Sequence, residues 1–492
     1  MGAQAPDRRR YLILAICCMS LFIVGLDNTI VNVALPSIHR ELHASVPQLQ
    51  WTIDAYTLVL ASLLMLSGSM ADRLGRARIF KLGLVLFTLG SLLCSLAPSV
   101  QLLIVFRMVQ AVGGSMLNPV AMSIIRNTFT DARERAQAIG LWAGVIGLSM
   151  AMGPVLGGAL VDAGSWRSVF WVNVPIGLLA AALTWRFVPE SKAPRPRRVD
   201  PVGQLLVIVL LASTVYAIIE GPSHGWLSGE ILGLFALAVA AVGALVHYER
   251  RRDDPLIDVR FFASAPFSGA SVIAIAAFTA LGAFLFLNTI YLQDSRGLSP
   301  FHAGLYTLPM AAITVVVGPL TGRLVGARGA RPSLVLGGGA ILLSGLMLTG
   351  LTQTTSPAWL FAGYVVFGIG FGSVNPPITN TAVSGMPPAQ AGVASAVAST
   401  SRQVGLSLGV ALAGAIAVVA TTDPAVLATG THPGWWLIAG CGTLIVVLGL
   451  VTTTRWALDT ATATATRLCE DDPPPTPLGD PVNPRETSLA VR

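Results

Sequence analysis

Fourteen apolar blocks run along the chain, separated by short polar joints. They cover residues 11–35, 51–71, 79–97, 101–125, 135–160, 168–188, 202–220, 227–247, 267–292, 303–324, 333–351, 357–380, 390–418 and 434–455. Most are near twenty residues long, the length that carries a helix across a hydrocarbon core of about 30 Å. The pattern therefore predicts an all-α membrane protein with 14 transmembrane helices. The two most polar joints are 189–201, which includes Ser191-Lys192-Ala193-Pro194-Arg195-Pro196-Arg197-Arg198, and 248–266. The segment after Trp456 is rich in Thr, Pro and Asp and is expected to be disordered.

Charge tests the number of blocks. If every block crosses, one side holds Arg8–Arg10, the joint with Arg73, Arg76, Arg78 and Lys81, and Arg126, Arg133 and Arg135. The same side collects Arg186, Lys192, Arg195, Arg197 and Arg198, then Arg250–Arg252 and Arg260, then Arg323, Arg328 and Arg331, and the tail arginines. That is 26 of the 31 Lys and Arg. The other side holds only Arg40, Arg167 and Arg296, while Arg107 and Arg402 lie inside blocks. By the positive-inside rule both termini are expected in the cytoplasm, and the protein in the cell (inner) membrane as a multi-pass chain. Trp51, Trp166, Trp226, Trp435 and Trp436 fall near block ends, where interfacial anchors sit.

Composition agrees. The chain is 53% hydrophobic and 11% charged, against about 25% charged in soluble domains. The net charge of +7 reads as a topology signal, so a nucleic-acid partner is not expected. Arg8-Arg9-Arg10 before an apolar run imitates a signal peptide. The run is long, contains Asp27 and lacks a small-x-small cleavage site, so it is taken as the first membrane helix. Cys17, Cys18, Cys94, Cys441 and Cys469 show no metal-ligand spacing, and no metal site is expected.

The chain also repeats itself. Gly114-Ser115-Met116-Leu117-Asn118-Pro119 is echoed by Gly372-Ser373-Val374-Asn375-Pro376, Gly147-Leu148-Ser149 by Gly405-Leu406-Ser407, and Gly68 with Arg73-Leu74 by Gly318 with Arg323-Leu324. The echoes are in order and eight blocks apart. They predict an arrangement of 6 + 2 + 6 helices: a cytoplasmic N-terminus (1–10), an N-terminal six-helix half (11–188), cytoplasmic linkers with two inserted helices (189–266), a C-terminal six-helix half (267–455) and a cytoplasmic tail (456–492). Repeated halves around a shared cavity are a transporter plan.

Several segments carry a resemblance to a known family. Gly68-Ser69-Met70-Ala71-Asp72-Arg73-Leu74-Gly75-Arg76-Ala77-Arg78 resembles the loop 2–3 signature of the major facilitator superfamily. Leu26-Asp27-Asn28-Thr29-Ile30-Val31-Asn32-Val33-Ala34-Leu35-Pro36 resembles the first-helix signature of its fourteen-span drug:proton antiporters. Arg107-Met108-Val109-Gln110-Ala111-Val112-Gly113-Gly114 resembles the fourth-helix signature, departing at Ala111, where the family usually has Gly. Gly147 with Gly153-Pro154-Val155-Leu156-Gly157-Gly158 resembles the fifth-helix antiporter signature, which the family associates with export. The resemblance implies a major facilitator fold and a multidrug efflux transporter. It would be a proton-coupled antiporter that exports hydrophobic, cationic drugs by alternating access, driven by the proton gradient and without a cofactor. It further implies that Gly68, Asp72, Arg73, Gly75, Arg76 and Arg78 form a latch between the halves on the cytoplasmic side. Some members carry further membrane acids in the second half, which the blocks here lack.

The residues support a proton site on their own terms. An Asp at the centre of a membrane helix costs about 2.5–3.5 kcal/mol, so it must face water, find a partner or hold a proton. Asp27 is roughly 24 Å from Tyr11 along a helix, Arg107 is roughly 9 Å in from Gln101, and Asp54 lies near the outer end of its block. All three share the outer-to-middle depth of one half. Burial disfavours an ionised carboxylate and a nearby guanidinium favours it, so a motion that alters either would switch a proton on or off. A cationic substrate would compete for the same carboxylate. The alternative is a structural Asp, with Asp54 snorkelling at the interface and Arg107 bracing the bundle. Arg402 with Gln403 reads as a buried polar pair stabilising the second half.

Asp72 ends a helix whose dipole opposes it, so its partner is expected to be another helix N-terminus or Arg73, Arg76 or Arg78. Pro154 breaks the helix ladder, and the glycines around it allow close helix contact. Trp142, Phe284, Asn288, Tyr291 and Asn375 are candidates to line the substrate cavity, since aromatic and amide groups suit bulky amphipathic ligands. A membrane enzyme is unsupported: no nucleophile with a base, no HExxH and no Walker motif occurs, and the histidines lie in joints or at block ends. The expected partners are hydrophobic or cationic small molecules, protons and membrane lipids, and the expected state is a monomer. A dedicated exporter of one endogenous metabolite, antibiotic or lipid remains the alternative.

Overall fold

The computed structural model of the protein describes residues 7–193, 199–252, 255–383, 391–416 and 423–471. Among these residues all regular structure is helical. The chain forms α1 (Asp7–Leu42), α2 (Val46–Leu74), α3 (Arg76–Ser95), α4 (Val100–Thr128), α5 (Ala132–Ala163), α6 (Ser168–Trp171), α7 (Asn173–Phe187), α8 (Pro201–His224) and α9 (Gly229–Glu249). A short 3-10 turn (Val259–Ala263) leads to α10 (Ala265–Thr289), which runs on into a π-helical turn (Ile290–Ser295). Then come α11 (Pro300–Arg328), α12 (Arg331–Leu348), α13 (Pro357–Val383), α14 (Ala391–Ile416), α15 (Pro424–Gly430), α16 (His432–Val451) and α17 (Arg455–Asp471).

Local chemistry sets the ends. Ser45 and Gln48 form a reciprocal capping box at α2, and Ser99, Asp131, Asp200, Ser228 and Ser299 each accept a backbone N–H in the first turn of the helix that follows. Gly75, at φ 120°, turns the chain from α2 into α3. Val172 separates α6 from α7 just before Pro175, which has no N–H to continue the ladder.

Helices cover all fourteen apolar blocks, but fewer are long and apolar enough to cross a membrane. Among the described residues twelve meet that requirement, taking α6–α7, α10 with its π turn, and α15–α16 as single spans. A thirteenth is α5, bent by 41° between Met150 and Met152. The bend has a cause four residues away, because Pro154 cannot donate to the Met150 carbonyl. The hydroxyl of Thr29 on α1 donates to that carbonyl instead (3.4 Å). α14 stays outside the group because Ser399-Thr400-Ser401-Arg402-Gln403 dilutes its apolar content.

The helix pairings recur along the chain. α1 packs on α5, α4 and α7, while α4 packs on α2 and α3, and α3 on α7. In the second set α10 packs on α14, α13 and α16, while α13 packs on α11 and α12, and α12 on α16. Two seams join the sets, α5 with α11 and α2 with α14. Both are tight at the end of the bundle away from Asp7. There Gly158 lies against Pro300 and Phe301, Gly304 against Pro154, and Gln50 Nε2 donates to the Val410 and Ala411 carbonyls (3.2 and 2.8 Å). At the opposite end Gly140 and Gly144 of α5 and Gly318, Gly322 and Gly326 of α11 face open space. α8 covers the α2–α14 seam through Val215, Ile218 and Ile219, which pack with Leu58 and Ala411.

One expectation is corrected. The chain after Trp456 is not disordered throughout, since α17 extends to Asp471. Its buried Ala457 and Leu468 supply the apolar stripe, and it packs on α10 and the 3-10 turn, with Thr460 accepting the Ala265 N–H (3.0 Å). The rest of that tail (472–492), residues 1–6 and the basic stretch 194–198 lie outside the described residues.

Candidate functional site

Asp27 is fully buried at the centre of a network contributed by five helices. From α4, Arg107 NH1 donates to its Oδ2 at 2.5 Å and Gln110 Nε2 to its Oδ1 at 2.9 Å. From α7, Asn173 Nδ2 donates to Oδ1 at 3.2 Å. Ser91 of α3 accepts from Gln110 (2.6 Å) and Asn173 (3.4 Å), fixing both amides. The guanidinium is held from further directions: Nε donates to the Thr52 carbonyl of α2 (3.1 Å), NH1 also reaches Gln110 Oε1 (2.7 Å), and the Tyr56 ring lies 4.1 Å beneath it. A carboxylate with three donors and a guanidinium stacked on an aromatic face compensates two charges that would otherwise be very costly to bury.

Asp54 is equally buried but belongs elsewhere. Its Oδ1 accepts from Thr57 (3.4 Å), its Oδ2 has no hydrogen-bond partner, and it lies beside Ser407 of α14. Among the described residues no bond joins it to Asp27 or Arg107. The sequence places the three charges at one depth; the structure unites two of them and turns the third toward the other set of helices.

The fifth-helix glycines explain how α1 is held. A Cβ at Gly153 would collide with Thr29 Oγ1, and one at Gly157 would stand 2.7 Å from Ile30 Cγ1. Gly153 and Gly157 thus seat α5 on the turn of α1 that follows Asp27, while Pro154 and Gly158 face α11 across the seam. Gly147 looks toward Val315 of α11 with 3.7 Å to spare.

In the α2–α3 joint Asp72 Oδ1 accepts from Arg76 Nε (3.1 Å) and NH2 (2.9 Å), one of the partners expected for it. Glu190, which the sequence did not single out, caps α3 by accepting from the Ala77 and Arg78 N–H groups (3.0 and 3.2 Å). Its carboxylate fills the space that a side chain at Gly75 would need. Gly68 rests against Pro119 of α4, and Arg73 and Arg78 are exposed. The hydrogen bonds that this joint makes among the described residues all lie within the first seven helices and the segment just after them.

The cavity candidates scatter. A narrow crevice of about 10 Å³ lies where α1, α5, α10 and α11 meet, lined by Asn32, Pro154, Asn288, Gln293 and Thr307 among others. Asn288 is the one candidate on it, and it accepts from the Tyr364 hydroxyl. Phe284 is instead stacked on Phe367 (4.1 Å) beside Trp435, and Tyr291 donates to the Thr352 carbonyl (2.7 Å). Trp142 is half-buried against the core of the first helix set, and Asn375 is half-buried on α13. Arg402 donates to Thr379 and lies 6.0 Å from the Phe278 ring centroid, a bracing position.

A bundle of long apolar helices with a charged pair sealed inside one helix set defines a multi-pass membrane protein. The model of the Major Facilitator Superfamily matches residues 17–410. The chain belongs to that superfamily, a family of transporters and not of enzymes. It is 37% identical over 421 residues to the multidrug resistance protein Stp of Mycobacterium tuberculosis, covering 85% of this chain and 78% of the relative. It is 36% identical over 399 residues to the methylenomycin A resistance protein of Streptomyces coelicolor, covering 80% and 82%. Among solved structures, a bacterial homolog of the human lysosomal transporter Spinster shares the fold at a TM-score of 0.63 and 18% identity, over 96% of this chain and 100% of that one.

Proposed function

We propose that the protein is a proton-coupled drug exporter of the cytoplasmic membrane, with Asp27 as its proton-coupling residue. The observation that carries this is the sealed Asp27–Arg107 pair and its amide donors. Asp27 Oδ2 accepts directly from the guanidinium. A proton arriving on Asp27 Oδ2 removes the charge that holds Arg107, leaving it Gln110 and the Thr52 carbonyl. The rearrangement reaches α1, α2 and α4 together, and α1 is keyed to α5 at Thr29 and Ile30. Protonation is thereby tied to the α5–α11 seam, along which the two helix sets rock in alternating access. Resistance proteins at 36–37% identity support export of drugs.

The reading includes fourteen spans as 6 + 2 + 6 with both termini in the cytoplasm, supported by the recurring helix pairings and the arginine-rich joints. On that reading the tight end of the seams is external, and Gly68, Asp72, Arg73, Gly75, Arg76 and Arg78 form a latch that is released in this state. Substrates are hydrophobic cations, for which Asp54 offers an unpaired buried carboxyl oxygen at the α2–α14 seam. The relative named for resistance to a single antibiotic supports the narrower alternative, a dedicated exporter. The test is uptake into inverted vesicles energised by a proton gradient, across a panel of lipophilic cations and neutral compounds. Accumulation of several unrelated cations, collapsing with the gradient, supports the multidrug reading. Transport of one compound alone establishes the dedicated exporter, and accumulation indifferent to the gradient removes the coupling claim.

A further inference from the structure

A second buried carboxyl site lies away from Asp27, where α8 begins and α9 ends. Asp200 caps α8: its Oδ1 accepts the Gly203 N–H (3.0 Å) and the Tyr248 hydroxyl (3.1 Å). Glu249 closes α9, and its Oε2 accepts the Leu256 N–H (2.9 Å). The two residues are 2% and 3% exposed. Each has one oxygen left over, Asp200 Oδ2 and Glu249 Oε1, and neither of these has a hydrogen-bond donor. Both leftover oxygens converge on the bare face of Gly203, where an added Cβ would stand 2.6 Å from Asp200 Oδ2 and 2.5 Å from Glu249 Oε1.

Among the described residues one positive charge serves the two acids. Arg252 Nε lies 3.6 Å from Asp200 Oδ2, and its NH1 donates to the Tyr248 hydroxyl (2.8 Å). α2 contributes an uncharged contact, Gln204 Nε2 to the Ser62 carbonyl. Asp258, further along the connection, is engaged by Arg260. Among the described residues no other ion pair reaches Asp200 or Glu249. Two adjacent buried carboxylates do not both stay ionised when one guanidinium serves them. A single proton relieves the arrangement, because it removes one of the two charges that face each other over Gly203 and leaves Arg252 one carboxylate to balance.

We propose that Asp200 and Glu249 bind one proton between them, forming a protonation site separate from Asp27 and Arg107. The site joins the start of α8, the end of α9 and, through Leu256, the connection that leads into α10. With the proton bound the three are tied together. When it leaves, two carboxylates face each other over Gly203 and the contact between the start of α8 and the end of α9 loosens. The site stands independently of the coupling role proposed for Asp27.

Infrared difference spectroscopy of the full-length protein in lipid tests this at neutral pH. Glu249→Gln and Asp200→Asn are near-isosteric, and each amide can still donate across the pair. The spectrum of the wild type minus either variant is expected to contain a protonated-carboxyl C=O band that disappears as pH is raised. D27N is expected to retain that band. Difference spectra containing only ionised-carboxylate bands overturn the proposal, as does a band that D27N removes and E249Q leaves. If E249Q fails to fold, D200N decides alone by the same criterion, because its side-chain oxygen still caps Gly203.

Discussion

Asp27 and Arg107, on α1 and α4, meet as an ion pair of 2.5 Å with both side chains closed to solvent. Breaking such a pair leaves one charge buried without its partner, which costs about 3–5 kcal/mol. Arg107→Gln is therefore expected to destabilise the purified protein strongly. Adding Asp27→Asn should recover most of that loss, because the double variant buries no uncompensated charge. Thermal unfolding of the two single variants and the double variant measures the coupling, and additive losses would contradict a mutual interaction.

Depth was legible in the sequence, and direction was not. Residue numbering along predicted spans placed Asp27, Asp54 and Arg107 at one level. Which side of a helix each faces depends on packing that apolar blocks do not encode. Thr52 and Tyr56 touch Arg107, while Asp54, two residues from each, lies about 200° around the helix and faces α14. Gln110, Asn173 and Ser91 were missed as site members for a related reason. Uncharged polar residues are common in membrane helices, and only their convergence on one carboxylate sets these apart. Glu190 is distant in sequence from the helix it caps, and α17 packs on α10, a contact that its Thr-rich composition concealed.

Gly153 and Gly144 lie on the same helix with opposite surroundings. A Cβ at Gly153 meets Thr29 Oγ1, whereas one at Gly144 meets nothing within 4 Å. Gly153→Leu is expected to push α1 away from α5 and abolish transport. Gly144→Ala should leave expression and transport near wild type. Transport assays on membranes with matched protein levels check both, and equal effects at the two positions would count against the α1–α5 contact.

Glu190 accepts two backbone N–H groups at the start of α3. Glu190→Ala removes a cap worth about 1 kcal/mol. The expected result is a modest fall in melting temperature, together with faster hydrogen exchange at Ala77 and Arg78. Unchanged exchange there would show that the cap is not formed in the membrane.

Gln50 crosses the α2–α14 seam to the Val410 and Ala411 carbonyls. Gln50→Leu leaves those carbonyls without this donor and is expected to favour opening at that end of the bundle. A cysteine placed at Gly414, which lies against Gln50, should react faster with a water-soluble thiol reagent in the Gln50→Leu background. An equal rate in both backgrounds would mean that the seam does not depend on this bridge.

Coupling of the proton to export rests on Asp27. It is tested most directly by accumulation of a fluorescent lipophilic cation in inverted vesicles, energised by a proton gradient, comparing wild type with Asp27→Asn at equal protein content. The wild type is expected to accumulate the cation and release it when the gradient is collapsed, while the variant shows no gradient-dependent accumulation. Full accumulation by Asp27→Asn that still collapses with the gradient would contradict it.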